Sequence, residues 1–193
     1  MKVDYNKLMQ KEISSFGGKP KLLLHCCCAP CSSAVIERLK QHFEITYFYF
    51  NPNIDTTNEF LKRKQEFEKL GVNVVDVGYD HNQFLTLIKG YENEPEGGAR
   101  CRICIANRMD KTFEYAVLNN FELVTTTLSI SPHKNAEFIN ACGEMLEKKY
   151  GVKYLHADFK KENGYLKSTQ ICKEKGIYRQ DYCGCEFAKG HLE

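Results

Sequence analysis

No stretch of this 193-residue sequence approaches the roughly 18 consecutive apolar residues of a membrane-spanning helix, and the apolar run that begins at Leu22 breaks at His25. Residues 1–20 carry Lys2, Asp4, Lys7, Lys11 and Glu12 and have no apolar core of the kind a secretory leader needs. Neither sign of charge dominates. Lys and Arg number 27 against 25 Asp and Glu, a net charge of +2, so any nucleic-acid surface must be a local patch rather than a global field. Internal repeats, low-complexity tracts and a linker long enough to divide the chain are all missing. No glycine-rich loop follows the first apolar segment, which argues against a nucleotide-phosphate cradle. These absences leave a protein expected in the cytoplasm, without a membrane partner and folded as one domain over 1–193. Its 42% apolar content is enough to fill a core.

Against that plain background stand ten cysteines. Cytoplasmic thiols are normally kept reduced, so a cysteine-rich chain in that compartment points to metal or redox chemistry before structural disulfides.

Strand-like and helix-like segments alternate. Residues 21–27 form a short apolar run that reads as a buried strand. Residues 43–50 are aromatic and β-branched and stop at Asn51-Pro52-Asn53, a turn cluster. Further strands are expected at 72–77, 121–126 and 152–156. Helices are expected at 32–41, 57–70 (closed by Gly71), 81–89, 100–118, 133–150 (closed by Gly151) and 165–175. The alternation predicts an α/β fold: one three-layer domain with a mostly parallel five-stranded sheet, HUP/Rossmann-like, and a helical, cysteine-bearing tail at about 160–193. In such sheets the site lies at the strand carboxyl ends. Cys26 to Cys31, Asn51 to Asn53, Thr126 to Ser129 and the His156–Asp158 region would all meet on that edge.

The cysteines fall into three groups. Cys26, Cys27 and Cys28 leave the first strand, and Cys31 follows Pro30 into a helix, whose N-terminus depresses a thiol pKa. Cys101 and Cys104 are spaced C-x-x-C, on one side of a helical turn; the pair suits a redox couple, half a zinc site or half an iron–sulfur site. Together the two groups supply four soft ligands, fit for zinc or an iron–sulfur cluster. Cys183 and Cys185 flank Gly184, whose backbone freedom lets both sulfurs aim inward, as a strained disulfide or as ligands of a second metal. Cys142 and Cys172 read as buried packing residues. His25 is a candidate support for the cysteines. His133, at a helix start, reads either as a phosphate contact or as a plain helix opening. His42, His81 and His191 read as surface residues.

The segments LHCCCAPC (24–31), YFYFNPNI (47–54), RCRICIANR (100–108), TTTLSISPHKN (125–135) and YRQDYCGCEFA (178–188) occur in order across most of the chain, and together they resemble the QueH family. That resemblance implies an oxidoreductase that reduces the epoxide of epoxyqueuosine at the tRNA wobble position to queuosine. It implies a 4Fe-4S cluster on Cys27, Cys28, Cys101 and Cys104, and a second iron or other metal near Cys31. It also implies a redox-active pair, Cys183 and Cys185. The partners implied are tRNA carrying epoxyqueuosine and an unidentified electron donor. Cys26 is extra to the family pattern, which has two cysteines before Ala-Pro-Cys, and Asp55-Thr56 stands where a proline is more usual.

Proton donors are sought among Asp158, Asp181 and Tyr182, and a base-stacking ring among Tyr178 and Tyr182. Phosphate contacts are sought among Lys160, Lys161, Lys167, Lys173, Lys175 and Arg179, with Lys62, Arg63, Lys64, Arg102 and Arg108 as further candidates. Two rival readings remain at this level: an iron–sulfur tRNA sulfur-transfer-type enzyme, which needs the missing phosphate loop, and a zinc-stabilised RNA-binding module.

Overall fold

A computed structural model of the chain describes residues 3–189; Met1, Lys2 and residues 190–193, among them His191, lie outside the described residues. Five parallel strands form one sheet: β1 (Lys21–His25), β2 (Glu44–Tyr49), β3 (Val74–Asp76), β4 (Leu123–Thr126) and β5 (Lys153–Tyr154), in the order β3-β2-β1-β4-β5. The architecture is the expected α/β sheet with helices on both faces, although β3 and β5 are shorter than the sequence pattern indicates.

Alternation along each strand divides the core in two. Leu22, Leu24 and Tyr49 face one layer with Met9 of α1 (Tyr5–Ser15), Val35 and Leu39 of α2 (Ala29–Leu39), Phe60 of α3 (Thr57–Gln65) and Ile171 of α7 (Gly164–Lys175). Leu23, Phe48 and Val124 face the other, against Ile105, Met109 and Phe113 of α5 (Ala99–Leu118) and Ile139 and Leu146 of α6 (Ala136–Tyr150). Cys142 and Cys172 pack in these two cores, as the apolar reading requires. A short helix, α4 (His81–Leu87), sits beside the start of α5.

At three helices the difference from the sequence pattern has a clear local reason. Helix α2 begins earlier, because Pro30 occupies its first turn rather than a loop and the Cys28 side chain caps it. The segment 57–70 is α-helical only to Gln65 and tightens into a 3₁₀ turn at Glu66–Leu70 before Gly71, at φ 71°, closes it. Helix α6 begins at Ala136, not at residue 133, because the Asn135 side chain accepts from the Phe138 amide. His133 and Lys134 are thereby left in a turn at the sheet edge.

Helix α1 has no counterpart in the sequence-based expectation. Asp4 caps it by accepting from the amides of Asn6 and Lys7 at 3.1 and 3.2 Å. Asn6 and Gln10 donate to Glu162 at 2.9 and 2.8 Å, and Arg38 pairs with the same carboxylate at 2.6 Å. His156, beyond β5, joins Glu12 of α1 at 2.8 Å and Glu144 of α6 at 3.1 Å, stacked on Tyr5. Burial disfavours its charge, but the two carboxylates outweigh that and raise its pKa.

The raised pKa has a definite sign. Its contribution to stability is complete below the unfolded value of about 6.5 and fades as pH rises through the folded value. His156→Gln is therefore expected to cost on the order of 0.5 kcal/mol in urea unfolding below pH 6.5, a figure discounted because Glu144 is 49% exposed. The difference from wild type should shrink towards pH 9, and a pH-independent difference would show that the ring acts by packing alone.

Candidate metal and redox site

The strand order reverses between β1 and β4, and the crevice between their carboxyl ends is where an open α/β sheet exposes a site. Cys27 leaves β1 into that crevice and is bridged to the chain leaving β4. Its amide donates to Thr127 Oγ1 at 3.2 Å, and the Thr127 hydroxyl donates to Cys27 Sγ at 3.4 Å. Cys28 turns into the N-cap of α2, where its sulfur accepts from the Cys31 amide at 3.5 Å and from Gln180 Nε2 at 2.9 Å. The sulfurs of Cys27, Cys28 and Cys31 lie within 4.8 Å of one another, close enough to share one metal ion.

Pleat parity settles where Cys26 belongs. Its sulfur points into the α2 layer with Leu22 and Leu24 and donates to the Leu24 carbonyl at 3.4 Å, whereas Cys27 sits on the opposite side. The extra cysteine is a core residue, and burial pushes its thiol pKa far up.

Cys101 and Cys104 project from the first turns of α5 and line an adjoining cavity of about 100 Å³ with Cys183 and Cys185. They are not part of the three-sulfur group. Cys183 borders this cavity and also the larger one, of about 340 Å³, that holds Cys27, Cys28 and Cys31. Arg108 and Lys134 border both as well. Cys183 and Cys185 are free thiols in this structure.

A crowd of thiols cannot all ionise, and the surroundings select among them. Hydrogen bonds from the Cys28 and Cys31 thiols, helped by Lys134 and Thr127, hold Cys27 well below the usual thiol range. The same bond to Cys27 pushes Cys28 up to about 12, and Cys31 rises for the same reason. Burial raises Cys104 and drives Cys185 to about 12. Burial alone would discharge Lys134, but the facing sulfurs, Cys183 and Cys27 first, outweigh it and raise the pKa.

The cysteine-bearing tail is pinned by residues whose role the sequence did not reveal. Arg63, buried and paired with Glu59 at 2.6 Å, donates to the carbonyls of Cys183 and Tyr182 at 3.0 and 3.5 Å. The Asp55 amide donates to the Gly184 carbonyl at 2.9 Å, while its carboxylate accepts from the Tyr182 hydroxyl at 3.0 Å and pairs with Lys189. Gly184 is at φ 127°, and a Cβ there would lie 3.0 Å from Arg63 Nη1, so only glycine passes under the guanidinium.

Several expected functional residues take structural places instead. Arg63 and Arg108 are each 2% exposed and cannot meet a phosphate backbone; Arg108 donates to Asn51 Oδ1 at 3.3 Å. Lys64 is paired with Asp76, Lys160 holds the carbonyls of Ser129 and Lys134, and Lys167 pairs with Glu37. His81 is half-buried rather than on the surface, joining the Pro52 carbonyl to Glu186. His25 is buried between Thr126 Oγ1 at 2.9 Å and the Phe50 carbonyl at 3.1 Å; burial first, then Arg108, lowers its pKa to about 4, so it is neutral. It braces strand ends rather than touching sulfur.

The donor set fits a thiophilic metal group: soft sulfurs, one favoured thiolate and buried cations. Arg100 supplies an independent observation. It is 2% exposed beside Cys101, and its Nε and Nη2 have no hydrogen-bond partner among the described residues, nor does Asn53 Oδ1 on the same cavity wall. The two free Arg100 donors, on a cavity wall that also carries Cys101, Cys104, Cys183 and Cys185, suit an acceptor such as sulfide or thiolate sulfur, whereas Asn53 Oδ1 is itself an acceptor and asks for a donor.

With this geometry established, known proteins compare as follows. The family profile described as "Epoxyqueuosine reductase QueH" matches residues 22–191. The chain belongs to the QueH family. A relative named epoxyqueuosine reductase QueH from Streptococcus pyogenes is 41% identical over 200 residues, covering 97% of this chain and 78% of its own. One of the same name from Staphylococcus epidermidis is 38% identical, covering 97% and 85%. Another from Thermotoga maritima is 34% identical, covering 86% and 89%. Among the described residues of this QueH member, no helix is long and apolar enough to cross a membrane.

The pinning of the tail can be tested without a cofactor. Arg63→Met combined with Glu59→Gln removes the charged donor and leaves no buried carboxylate unpaired. Losing a charged hydrogen bond worth about 1.5–3 kcal/mol should raise the reaction of Cys183 and Cys185 with a disulfide reagent about 10- to 100-fold in metal-free protein. An unchanged rate would show that the loop is held by other contacts.

Proposed function

We propose that this chain reduces epoxyqueuosine at the tRNA wobble position to queuosine, as a step of queuosine tRNA modification. Beyond family membership, the supporting observation is the convergence of three cysteine groups on one sheet edge around Arg108 and Lys134. The nucleotide-dependent sulfur-transfer reading lacks its phosphate loop, because Cys26 to Cys31 occupy the place after β1. The zinc-module reading leaves Cys183 and Cys185 without a purpose.

Cys27, Cys28, Cys101 and Cys104 are assigned as holders of a 4Fe-4S cluster, with Cys31 beside a second iron or other metal. A cluster of that kind, when bound, supplies electrons one at a time. Opening an epoxide to an alkene takes two electrons and two protons and releases one water. Cys183 and Cys185 are assigned as the balancing pair: two thiols becoming one disulfide give up two electrons and two protons. An electron donor, not identified by the structure, must then reduce the disulfide. Arg108 and Lys134 place positive charge where the epoxide oxygen would gain negative charge. Asp181 lines the thiol cavity and is the remaining candidate to carry protons; Tyr182 lines it too but donates its hydroxyl to Asp55, and Asp158 faces a separate outer groove and pairs with Lys160. On this reading the catalytic unit is the whole chain, tail included, at work in a reducing cytoplasm.

The decisive variant is Cys183→Ser with Cys185→Ser, purified anaerobically and given epoxyqueuosine-containing tRNA with a chemical reductant. Turnover should vanish while the iron content stays that of wild type. Full activity would remove the pair from the reaction.

A further inference from the structure

We propose that Tyr165, held by Arg179, is the surface on which the base of the target nucleotide stacks while its modified substituent reaches the thiols. The inference rests on the reading of the substrate as tRNA and adds the residue that grips it. Tyr165 and Arg179 stand on the wall of the 340 Å³ cavity that contains Cys27, Cys28, Cys31 and Cys183. That volume falls within the range of small-molecule pockets.

Position and exposure single out this ring. Tyr165 is 43% exposed, although it borders the site. Arg179 lies over it with Cζ 5.6 Å from the ring centroid, and Nη2 donates to the phenol oxygen at 3.3 Å. The ring is thus oriented without being covered. One helical turn further on, Ser168 Oγ donates to the Pro30 carbonyl at 2.5 Å, which fixes this part of α7 against the first turn of α2 and therefore against Cys31.

The two tail tyrosines that the sequence put forward are otherwise engaged. Tyr178 lies under Lys62 Nζ at 3.4 Å and reaches Glu59 at 3.4 Å. Tyr182 donates to Asp55 and is flanked by Arg63 and Lys189 at 4.9 and 5.0 Å. Both are spent on holding the tail.

The chemistry of the wall favours an RNA base. Unstacked bases in single-stranded loops are read by aromatic rings and by guanidinium planes. Lys134 and Arg179 are the accessible cations of the cavity lining, which also carries Glu96 and Asp181, and a phosphate beside the stacked base would meet them. Arg179 is itself exposed, unlike Arg63 and Arg108, and is free to meet that phosphate while it orients the ring.

The test is a double-mutant cycle between ring and base, read by fluorescence anisotropy at fixed salt. The probes are a labelled RNA stem–loop with guanine at the wobble position and the same RNA with an abasic site there. Tyr165→Ala should weaken the guanine RNA about 5- to 100-fold, the range expected for one base–aromatic stack. Removing the base should weaken wild type similarly, and the two losses should not add. Tyr165→Phe, which keeps the ring, should bind like wild type. The platform is overturned if Tyr165→Ala binds the guanine RNA like wild type, if the two losses add, or if Tyr165→Phe falls as far as Tyr165→Ala. Failure of the parent reading looks different: wild type would bind the stem–loop with the expected coupling yet leave epoxyqueuosine unreduced.

Discussion

Three sulfurs within 4.8 Å of one another set the terms for the rest of this molecule. Such a group is unstable as three thiolates and inert as three thiols. It becomes useful when one proton is shared out and positive charge stands nearby. The fold meets both conditions. Parting of β1 and β4 opens the crevice, Thr127 bridges it to Cys27, and the amide of Cys31 in the first turn of α2 is offered to Cys28. Lys134 reaches the thiols from the turn that Asn135 creates by delaying α6.

The second dependence runs through the tail. Residues beyond α7 carry two thiols and Gln180 to the sheet edge, where Cys185 and Ala188 pack against Phe84 and Ile88 and polar contacts fix the backbone between them. Arg63 and Asp55 supply those contacts, one by donating to carbonyls and the other by offering both an amide and a carboxylate. A buried arginine donating to loop carbonyls fixes the loop in one position, which the redox role proposed for Cys183 and Cys185 requires.

The sheet and most helices were legible because their signals are local: alternating apolar runs, a glycine after each of two helices, and a turn at Asn51-Pro52-Asn53. Cysteine spacing pointed to a thiol-held metal for the same reason. Helix α1 was hidden because its apolar stripe is narrow, chiefly Met9 and Ile13, and its docking is completed by distant partners, Glu162 and His156. Arg63 and Arg108 looked like surface cations because a sequence does not distinguish a buried guanidinium from an exposed one. Asp55 stood out only as a departure from the family pattern, since its partners lie more than 120 residues away. Cys26 and Cys27 differ only in pleat parity, and parity needs the register of β1, which only the sheet supplies.

Metal content decides the account most directly. The chain purified under strict anaerobic conditions should be brown, hold about four irons per chain or slightly more, and show a cluster signal by electron paramagnetic resonance after reduction. A colourless protein loaded with zinc alone would contradict the assignment of these thiols to an iron–sulfur centre and leave the fold without the reaction proposed for it.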